Sequence, residues 1–146
     1  MKKIKFFGSW PAIVTPFKTN GDLDLFALGK LVDYQIKGGV DGIVVAGSTG
    51  EAATLNDEEY FLVVKTVVDK VAGRVPVIAG AGSNDTKKAV AFSLLAKKAG
   101  VDGLLHVTPY YNKPTTSGLI LHYKTIAENT NLPIVLYNVP GRTGSN

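Results

Sequence analysis

Residues 42–51 read GIVVAGSTGE, and this stretch decides the fold class. Its first half is apolar without alternation, which is typical of a strand buried on both faces of a parallel sheet. Its second half changes to glycines and hydroxyl side chains immediately before a helical segment. The stretch therefore predicts a β/α unit with polar chemistry at the carboxyl end of its strand.

The same pattern recurs at intervals of about 30 residues, the usual spacing of successive β/α units. Strands are predicted at 12–17, 42–47, 76–82, 101–109 and 133–139. Helices with one apolar face are predicted at 22–38, 56–72, 84–99 and 115–130. Asn56 and Glu59 have the spacing of a capping box, and Asn84 or Asp85 is expected to cap the next helix.

This order of elements indicates an α/β protein and favours a (β/α)8 TIM barrel over a doubly wound sheet. A doubly wound dinucleotide-binding fold carries Gly-x-Gly-x-x-Gly after its first strand, and the turn at Gly80-Ala81-Gly82 lacks the third glycine. Polar chemistry here follows every strand rather than one switch point. Because a complete barrel needs about 250 residues, we expect residues 1–146 to form the N-terminal part of a single barrel domain, with roughly its first five β/α units.

The composition excludes several classes of protein. Apolar residues make up 45% of the chain and charged residues only 19%, so a disordered chain is not expected. Cysteine is absent, which excludes a disulfide framework and a thiolate metal site. With only His106 and His122, a histidine-rich metal site is not expected either, and we predict neither a metal nor a cofactor.

The net charge of +4 does not indicate a nucleic-acid surface. The lysines are spread along the chain, and the only dense stretch is at residues 2–5, without interleaved aromatic residues. The N-terminus lacks the long apolar run and cleavage site of a secretory signal. No apolar run approaches the roughly 18 residues of a membrane span, so we expect a cytoplasmic protein without membrane contact.

The loop Gly47-Ser48-Thr49-Gly50 is the first candidate site. Glycines let the backbone approach a ligand closely, and free amides and hydroxyls can then hold a carboxylate. The structural alternative is a tight turn whose hydroxyls cap the following helix.

Two further loops carry tyrosines and an arginine. Tyr110 and Tyr111 follow a strand, where phenols can relay protons or form a protein interface. Tyr137 near the next strand end can act as an acid or base. Arg142, one of two arginines, suits a forked contact with a carboxylate. The structural alternative is a buried Tyr137 hydroxyl and a solvated Arg142, and residues 10–17 are read mainly as barrel wall.

Together these segments resemble the dihydrodipicolinate synthase family, within the pyruvate-dependent class I aldolase-like superfamily. The resemblance covers residues 8–145 and depends on the order and spacing of the segments at 47–51, 110–114 and 138–144. It implies a barrel enzyme that binds pyruvate as a Schiff base to a lysine. The enzyme condenses it with L-aspartate 4-semialdehyde to give 4-hydroxy-tetrahydrodipicolinate in lysine (diaminopimelate) biosynthesis. A homo-oligomer, a dimer of dimers, is also implied.

The resemblance also implies roles for individual residues. Tyr137 is expected to be the proton donor and acceptor beside the Schiff base, and Ser48 and Tyr111 complete a hydroxyl relay with it. In this family the tyrosine at position 111 is contributed across a dimer interface. These three residues are the expected catalytic group.

Four residues are expected to bind substrate by the same resemblance. Thr49 holds the pyruvate carboxylate, with Gly47 and Gly50 beside it. Arg142 binds the carboxylate of aspartate semialdehyde at the mouth of the site.

Ser48 departs from the synthase pattern, because synthases usually carry threonine there, and Gly-Ser-Thr-Gly-Glu is closer to the N-acetylneuraminate lyase form. A lyase of that kind, or another keto-acid aldolase, is therefore an alternative. Serine keeps the hydroxyl that the relay requires. The segments at 110–114 and 138–144 favour the synthase, and Arg142 discriminates best between the two.

The family's Schiff-base lysine lies on the sixth strand, beyond Asn146. The lysines of this chain fall on predicted helix faces or in a loop, and none lies in an apolar strand, where desolvation would lower its pKa. We therefore expect the 146-residue chain to be inactive alone. A non-catalytic half-barrel that binds another chain is a further alternative, because an open strand edge invites pairing.

Overall fold

A computed structural model of the chain describes residues 6–146, so the lysine-dense segment at 2–5 lies outside the described residues. The strands are β1 (Ile43–Val45), β2 (Val77–Gly80), β3 (Gly103–Val107) and β4 (Ile134–Tyr137). The long helices are α1 (Leu25–Lys37), α2 (Asp57–Val71), α3 (Thr86–Ala99) and α4 (Thr116–Thr130). Two short helices were not predicted: a 3-10 helix (Ala52–Thr54) and α5 (Pro140–Thr143). Among the described residues, no helix combines the length and the apolar character that crossing a bilayer requires.

The four strands form one parallel sheet in the order β1-β2-β3-β4. Each strand therefore pairs with the strand that follows it in the chain, and the order does not reverse. A doubly wound sheet has a point where the strand order reverses, and ligands bind there. The described sheet has no such point, which agrees with the barrel prediction.

The predicted strand at 12–17 is wrong in extent. It is reduced to a single parallel bridge between Ala12 and Val44, in which the Ile13 amide donates to the Val44 carbonyl at 3.0 Å. Pro16 has no amide hydrogen to donate to a ladder. Its carbonyl instead accepts from the Asp24 amide at 2.9 Å, so the chain turns away from the sheet.

The predicted helix caps are present. The Asn56 side chain accepts from the Glu59 amide at 2.9 Å, and the Glu59 carboxylate accepts from the Asn56 amide at 3.0 Å, which confirms the capping box. Of the two candidates for α3, Asp85 is the cap and accepts from the Lys87 amide. These bonds satisfy backbone amides that the first helical turn leaves without partners.

The core lies between the sheet and its helices. Because successive strand residues point to opposite faces, alternate residues of β1 and β2 face the helices and pack in one buried cluster: Ile43, Val45, Val77 and Ala79. The valines of α2 that meet them are almost fully buried: Val63, Val64, Val67 and Val71. The helices thus cover one face of the sheet, and the strand ends remain available for a site.

Candidate active site

A cavity of about 340 Å³ lies at the carboxyl ends of the strands. One lining side chain follows each strand: Ser48 after β1, Ser83 after β2, Tyr110 after β3 and Arg142 after β4. Tyr137, the last residue of β4, also lines it. Parallel strands all end at the same edge of the sheet, so residues far apart in sequence meet in one cavity.

Two glycines at the end of β2 allow the neighbouring strands to approach closely. A Cβ atom on Gly80 would lie 2.1 Å from the carbonyl oxygen of Ala46. A Cβ on Gly82 would lie 2.4 Å from the amide nitrogen of Val107. Both obstacles are backbone atoms, which cannot move without shifting a strand. The glycines at 80 and 82 therefore allow close packing of neighbouring backbone segments.

The loop after β1 is fixed by hydrogen bonds to its backbone. The Gly50 amide donates to the Gly47 carbonyl at 3.1 Å, which closes a tight turn. The buried hydroxyl of Thr15 donates to the Gly50 carbonyl at 2.7 Å. Gly50 itself is buried, and a Cβ there would lie 3.1 Å from the Ile13 carbonyl oxygen. The loop geometry is therefore fixed by backbone contacts and by Thr15.

The hydroxyls of this loop are not used to hold it. Ser48 and Thr49 are exposed, and within residues 6–146 neither side chain has a hydrogen-bond partner. The alternative of capping hydroxyls is therefore not supported, although the turn is tight. Ser48 and Gly47 line the cavity, whereas Thr49 and Gly50 do not.

Tyr137 and Arg142 reach the cavity from β4 and α5. Tyr137 is half-buried and Arg142 is exposed. Over the described part of the chain, neither side chain forms a hydrogen bond or an ion pair. Among the described residues the Tyr137 hydroxyl is therefore not an internally bonded group, whereas the exposed Arg142 agrees with the alternative of a solvated arginine. Both side chains are available to a ligand.

Tyr111 is placed differently from the other predicted residues. It is 90% exposed, does not line the cavity and has a φ of 73°, in the left-handed region that bulky side chains avoid. Its neighbour Tyr110 lines the cavity. The chain thus brings Ser48 and Tyr137 together and leaves Tyr111 on the surface, and the role of Tyr111 in a relay stays a prediction.

The cavity has a mainly apolar lining, and its charged residues are two cations and one anion: Lys88, Arg142 and Glu51. Tyr60 also lines it, and its hydroxyl donates to the Gly80 carbonyl at 2.9 Å. Burial raises the pKa of Tyr60, so this phenol stays protonated and keeps its hydrogen bond to β2. In the part that the structure describes, no cluster of three His, Cys, Asp or Glu side chains could hold a metal ion.

Comparison with known proteins identifies the family to which this site belongs. The dihydrodipicolinate synthetase family matches residues 5–146. This chain belongs to the dihydrodipicolinate synthetase family. The resemblance drawn from the loop segments is therefore confirmed.

Two curated relatives of the family are similar over nearly the whole chain. A 4-hydroxy-tetrahydrodipicolinate synthase of Acetivibrio thermocellus is 54% identical over 146 residues, which is 100% of this chain and 50% of that protein. One of Maridesulfovibrio salexigens is 54% identical over 141 residues, covering 97% of this chain and 48% of that protein. The chain thus spans about half the length of the curated relatives it matches.

The fold is likewise similar to solved structures of the family. The 4-hydroxy-tetrahydrodipicolinate synthase of Methylacidiphilum fumariolicum SolV has a TM-score of 0.95 and 45% identity, covering 97% of this chain and 47% of that one. The prediction of a partial (β/α)8 barrel is confirmed by this similarity together with the unreversed parallel sheet.

Sequence reasoning missed some residues that line the cavity of this family member. Ser83 follows β2 just as Ser48 follows β1, and this shared pattern could have identified it. Lys88 and Thr143 also line the cavity, one from the first turn of α3 and one from α5. No local pattern marks these two, because their positions depend on how the helices pack.

Proposed function

We propose that this chain supplies the N-terminal half of a barrel enzyme that condenses pyruvate with L-aspartate 4-semialdehyde to give 4-hydroxy-tetrahydrodipicolinate. Pyruvate would react as the Schiff base of a lysine, in cytoplasmic lysine biosynthesis. The observation that carries this proposal is the meeting of Ser48, Tyr137 and Arg142 at one cavity of a family member, each without a partner in the described residues.

Each group has a chemistry that suits its proposed role. The planar guanidinium of Arg142 can bind the carboxylate of aspartate semialdehyde through two parallel hydrogen bonds. The Tyr137 phenol can donate a proton to the reacting carbon skeleton and take it back, with Ser48 passing it on. Thr49 would hold the pyruvate carboxylate through its hydroxyl and its backbone amide, which has no partner among residues 6–146, whereas the Gly50 amide is already bonded to the Gly47 carbonyl. Gly47 and Gly50 would let the ligand approach the loop closely.

We further propose a homo-oligomer in which Tyr111 completes the site of a partner subunit. Its 90% exposure and left-handed backbone support this role, because a strained position for a bulky residue persists where function requires it. Tyr111 would then supply the third hydroxyl of the relay from outside the chain.

The Schiff-base lysine is proposed to lie outside this chain. Lys88 lines the cavity, but it is exposed at the start of α3. Lys70 is engaged in an ion pair with Asp33 at 2.7 Å and does not line the cavity. An imine-forming lysine must be partly desolvated so that its amine is free to attack, and neither residue meets that condition.

Borohydride trapping of the pyruvate imine tests the proposal. The 146-residue chain and a chimera that joins it to the C-terminal half of the Acetivibrio thermocellus relative are each incubated with pyruvate and borohydride, and their intact masses are compared. We expect one reduced pyruvate adduct on the chimera and none on the chain alone. A folded chimera without an adduct would overturn the proposed function, and an adduct on the chain alone would overturn the lysine assignment.

Turnover by the same chimera tests the role of Tyr137. Tyr137→Phe removes only the hydroxyl, so the adduct should still form while condensation slows by about 100-fold or more. Ser48→Thr keeps a hydroxyl and should retain condensation. Loss of the adduct in Tyr137→Phe would mean that Tyr137 acts before carbon–carbon bond formation.

Ser48 favours a second candidate, a lyase that cleaves a sugar acid to pyruvate. A substrate panel separates the two functions. Condensation requires Arg142 to bind the carboxylate of aspartate semialdehyde, whereas cleavage of N-acetylneuraminate does not. Arg142→Ala should abolish saturation with aspartate semialdehyde if the synthase proposal is right. Unchanged condensation in Arg142→Ala would overturn the role of Arg142, whereas cleavage of N-acetylneuraminate without condensation by the unsubstituted chimera would favour the lyase.

A further inference from the structure

Arg142 lies on a helix that cannot form on its own. Helix α5 spans only Pro140–Thr143, a single turn, and isolated turns are unstable because nucleation costs more than one hydrogen bond returns. The guanidinium itself has no partner in the described residues. Whatever directs Arg142 into the cavity must therefore act through the backbone of α5.

The buried hydroxyl of Thr143 connects this helix to the end of β4. Thr143 is 3% exposed, and its hydroxyl lies 2.7 Å from the Asn138 side-chain oxygen. The Val139 and Ser145 carbonyls are farther away, at 3.2 and 3.3 Å. A hydroxyl has one hydrogen to donate, and the shortest contact identifies Asn138 as the acceptor.

The orientation of the Asn138 amide follows from its second contact. Its nitrogen donates to the Ser145 carbonyl at 3.0 Å. A flipped amide would place two oxygen acceptors face to face at Ser145, so only the observed orientation satisfies both contacts. Asn138 directly follows Tyr137, so its side chain connects the end of β4 to Thr143 and Ser145, which lie on either side of Gly144.

We propose that Thr143 is a positioning residue that, through Asn138, aims Arg142 into the cavity and sets the affinity for the carboxylate of the second substrate. This inference rests on the proposed function for its substrate. The link holds together the two segments that carry Tyr137 and Arg142, while leaving the guanidinium free for a ligand. Neither Thr143 nor Asn138 needs to touch the reacting atoms.

Kinetics of the chimera test the proposal. Thr143→Val keeps the shape of the side chain and removes the hydroxyl. We expect it to raise the KM for aspartate semialdehyde about tenfold while kcat and the KM for pyruvate change less than about twofold. Thr143→Ser restores the hydroxyl and should restore the KM. Equal loss in all three constants, or no rescue by serine, would show that Thr143 serves folding only.

Thr130 provides a matched control. It is also a buried threonine, with a hydroxyl that donates to the Ile126 carbonyl of α4 at 3.0 Å, and it does not line the cavity. Thr130→Val should leave the KM for aspartate semialdehyde unchanged. A similar rise in both variants would overturn the specific role of Thr143.

Hydrogen exchange in the 146-residue chain gives a readout that does not depend on activity. The Arg142 amide donates to the carbonyl of Val139, the residue before α5, at 2.8 Å. Thr143→Val should speed exchange of that amide about tenfold, while Thr130→Val should not. Unchanged exchange would overturn the positioning role even if the chimera proved inactive. Failed condensation by the unsubstituted chimera would instead count against the proposed function.

Discussion

Arg74 and Arg142, the two arginines of the sequence, lie at opposite ends of the sheet and have opposite surroundings. Arg74 precedes β2 and donates to the carbonyls of Val71 and Lys70 and to the Asp33 carboxylate. The Lys70 ammonium, 2.7 Å from the Asp33 carboxylate, and the Arg74 guanidinium both donate to it and hold the pKa of Asp33 below its ordinary value. Arg142 follows β4 and has no partner in the described residues. The same side chain stabilises the fold at one end and is available to a ligand at the other.

Other polar groups at the two ends follow this difference. At the amino end, Asp102 accepts from the Val77 amide at 2.9 Å and Asp41 from the Ser9 amide at 2.7 Å. At the carboxyl end, Ser48 and Tyr137 have no side-chain bond among residues 6–146. In (β/α) barrels the amino end serves stability and the carboxyl end serves function, and this chain shows the physical basis of that division.

A substitution at Gly80 should have the largest effect on stability. It tests whether close backbone packing at the carboxyl end matters as much as the side-chain bonds at the amino end. Gly80→Ala places a Cβ against the Ala46 carbonyl and should lower the free energy of unfolding by about 3 kcal/mol or more. Urea denaturation measures this. Gly141→Ala is the control, since a Cβ there meets nothing within 4 Å, and equal effects would contradict the packing argument.

His106 lies in β3, between the two ends of the sheet, and its side chain faces the helices. It adds to the comparison a buried side chain with a single hydrogen-bond partner in the described structure. The Ser93 hydroxyl donates to the Ala89 carbonyl, so it must accept from His106 Nε2–H at 3.2 Å. His106 Nδ1 has no partner in the described structure. Burial, with a smaller contribution from His122, lowers the pKa of His106 to about 4. The native protein therefore holds this imidazole neutral.

Acid should destabilise the protein through His106. The unfolded chain takes up the proton below its ordinary pKa of 6.5, and the native chain does so only near 4. The free energy of unfolding should therefore fall between these values and level off below them, with a total loss of about 3 kcal/mol. Urea denaturation from pH 7 to 4 measures the loss. His106→Gln should remove most of the pH dependence of the unfolding free energy, whereas His122→Gln should retain most of it. An unchanged pH dependence in His106→Gln would refute this.

Asp102 gives a smaller effect that tests the amino end directly. Asp102→Ala leaves the Val77 amide without its acceptor and should cost about 1–2 kcal/mol of unfolding free energy. Asp102→Asn keeps a side-chain acceptor and should lose less. If both variants match the wild type in urea, the amino end does not depend on this bond.

The arginine pair gives the smallest effect on stability. Arg74→Ala removes an exposed ion pair and two carbonyl contacts, and should cost at most about 1 kcal/mol. Arg142→Ala removes no intramolecular bond and should stay within about 0.5 kcal/mol of the wild type. Thermal unfolding of both variants measures these losses. A larger loss of stability in Arg142→Ala than in Arg74→Ala would contradict the difference between the two ends.

Much of the fold could be predicted from local patterns. The centres of β1 to β4, the capping box of Asn56 and the cap at Asp85 depend on residues close in sequence. The strand at 12–17 failed because apolar composition does not reveal that Pro16 redirects the chain into a turn. Helix α5 was not predicted, because four residues carry no helical periodicity and the helix is held by a side-chain bond between Thr143 and Asn138.

The site was predictable only in part. Thr49, Gly50 and Tyr111 do not line the cavity, whereas Ser48, Tyr137 and Arg142 do. Each lies at a strand end, where the direction of a parallel sheet determines its location. Lys88 reaches the cavity from a helix, so its place depends on packing that no local pattern encodes.

The unreversed strand order has a consequence for how the chain acquires its structure during synthesis. The most extensive contacts join each strand to the next strand and each helix to the next helix. A newly made unit can therefore dock on the one before it without waiting for distant sequence. Ribosomes add about 5–20 residues per second, so each unit of about 30 residues has a few seconds to settle before the next one emerges.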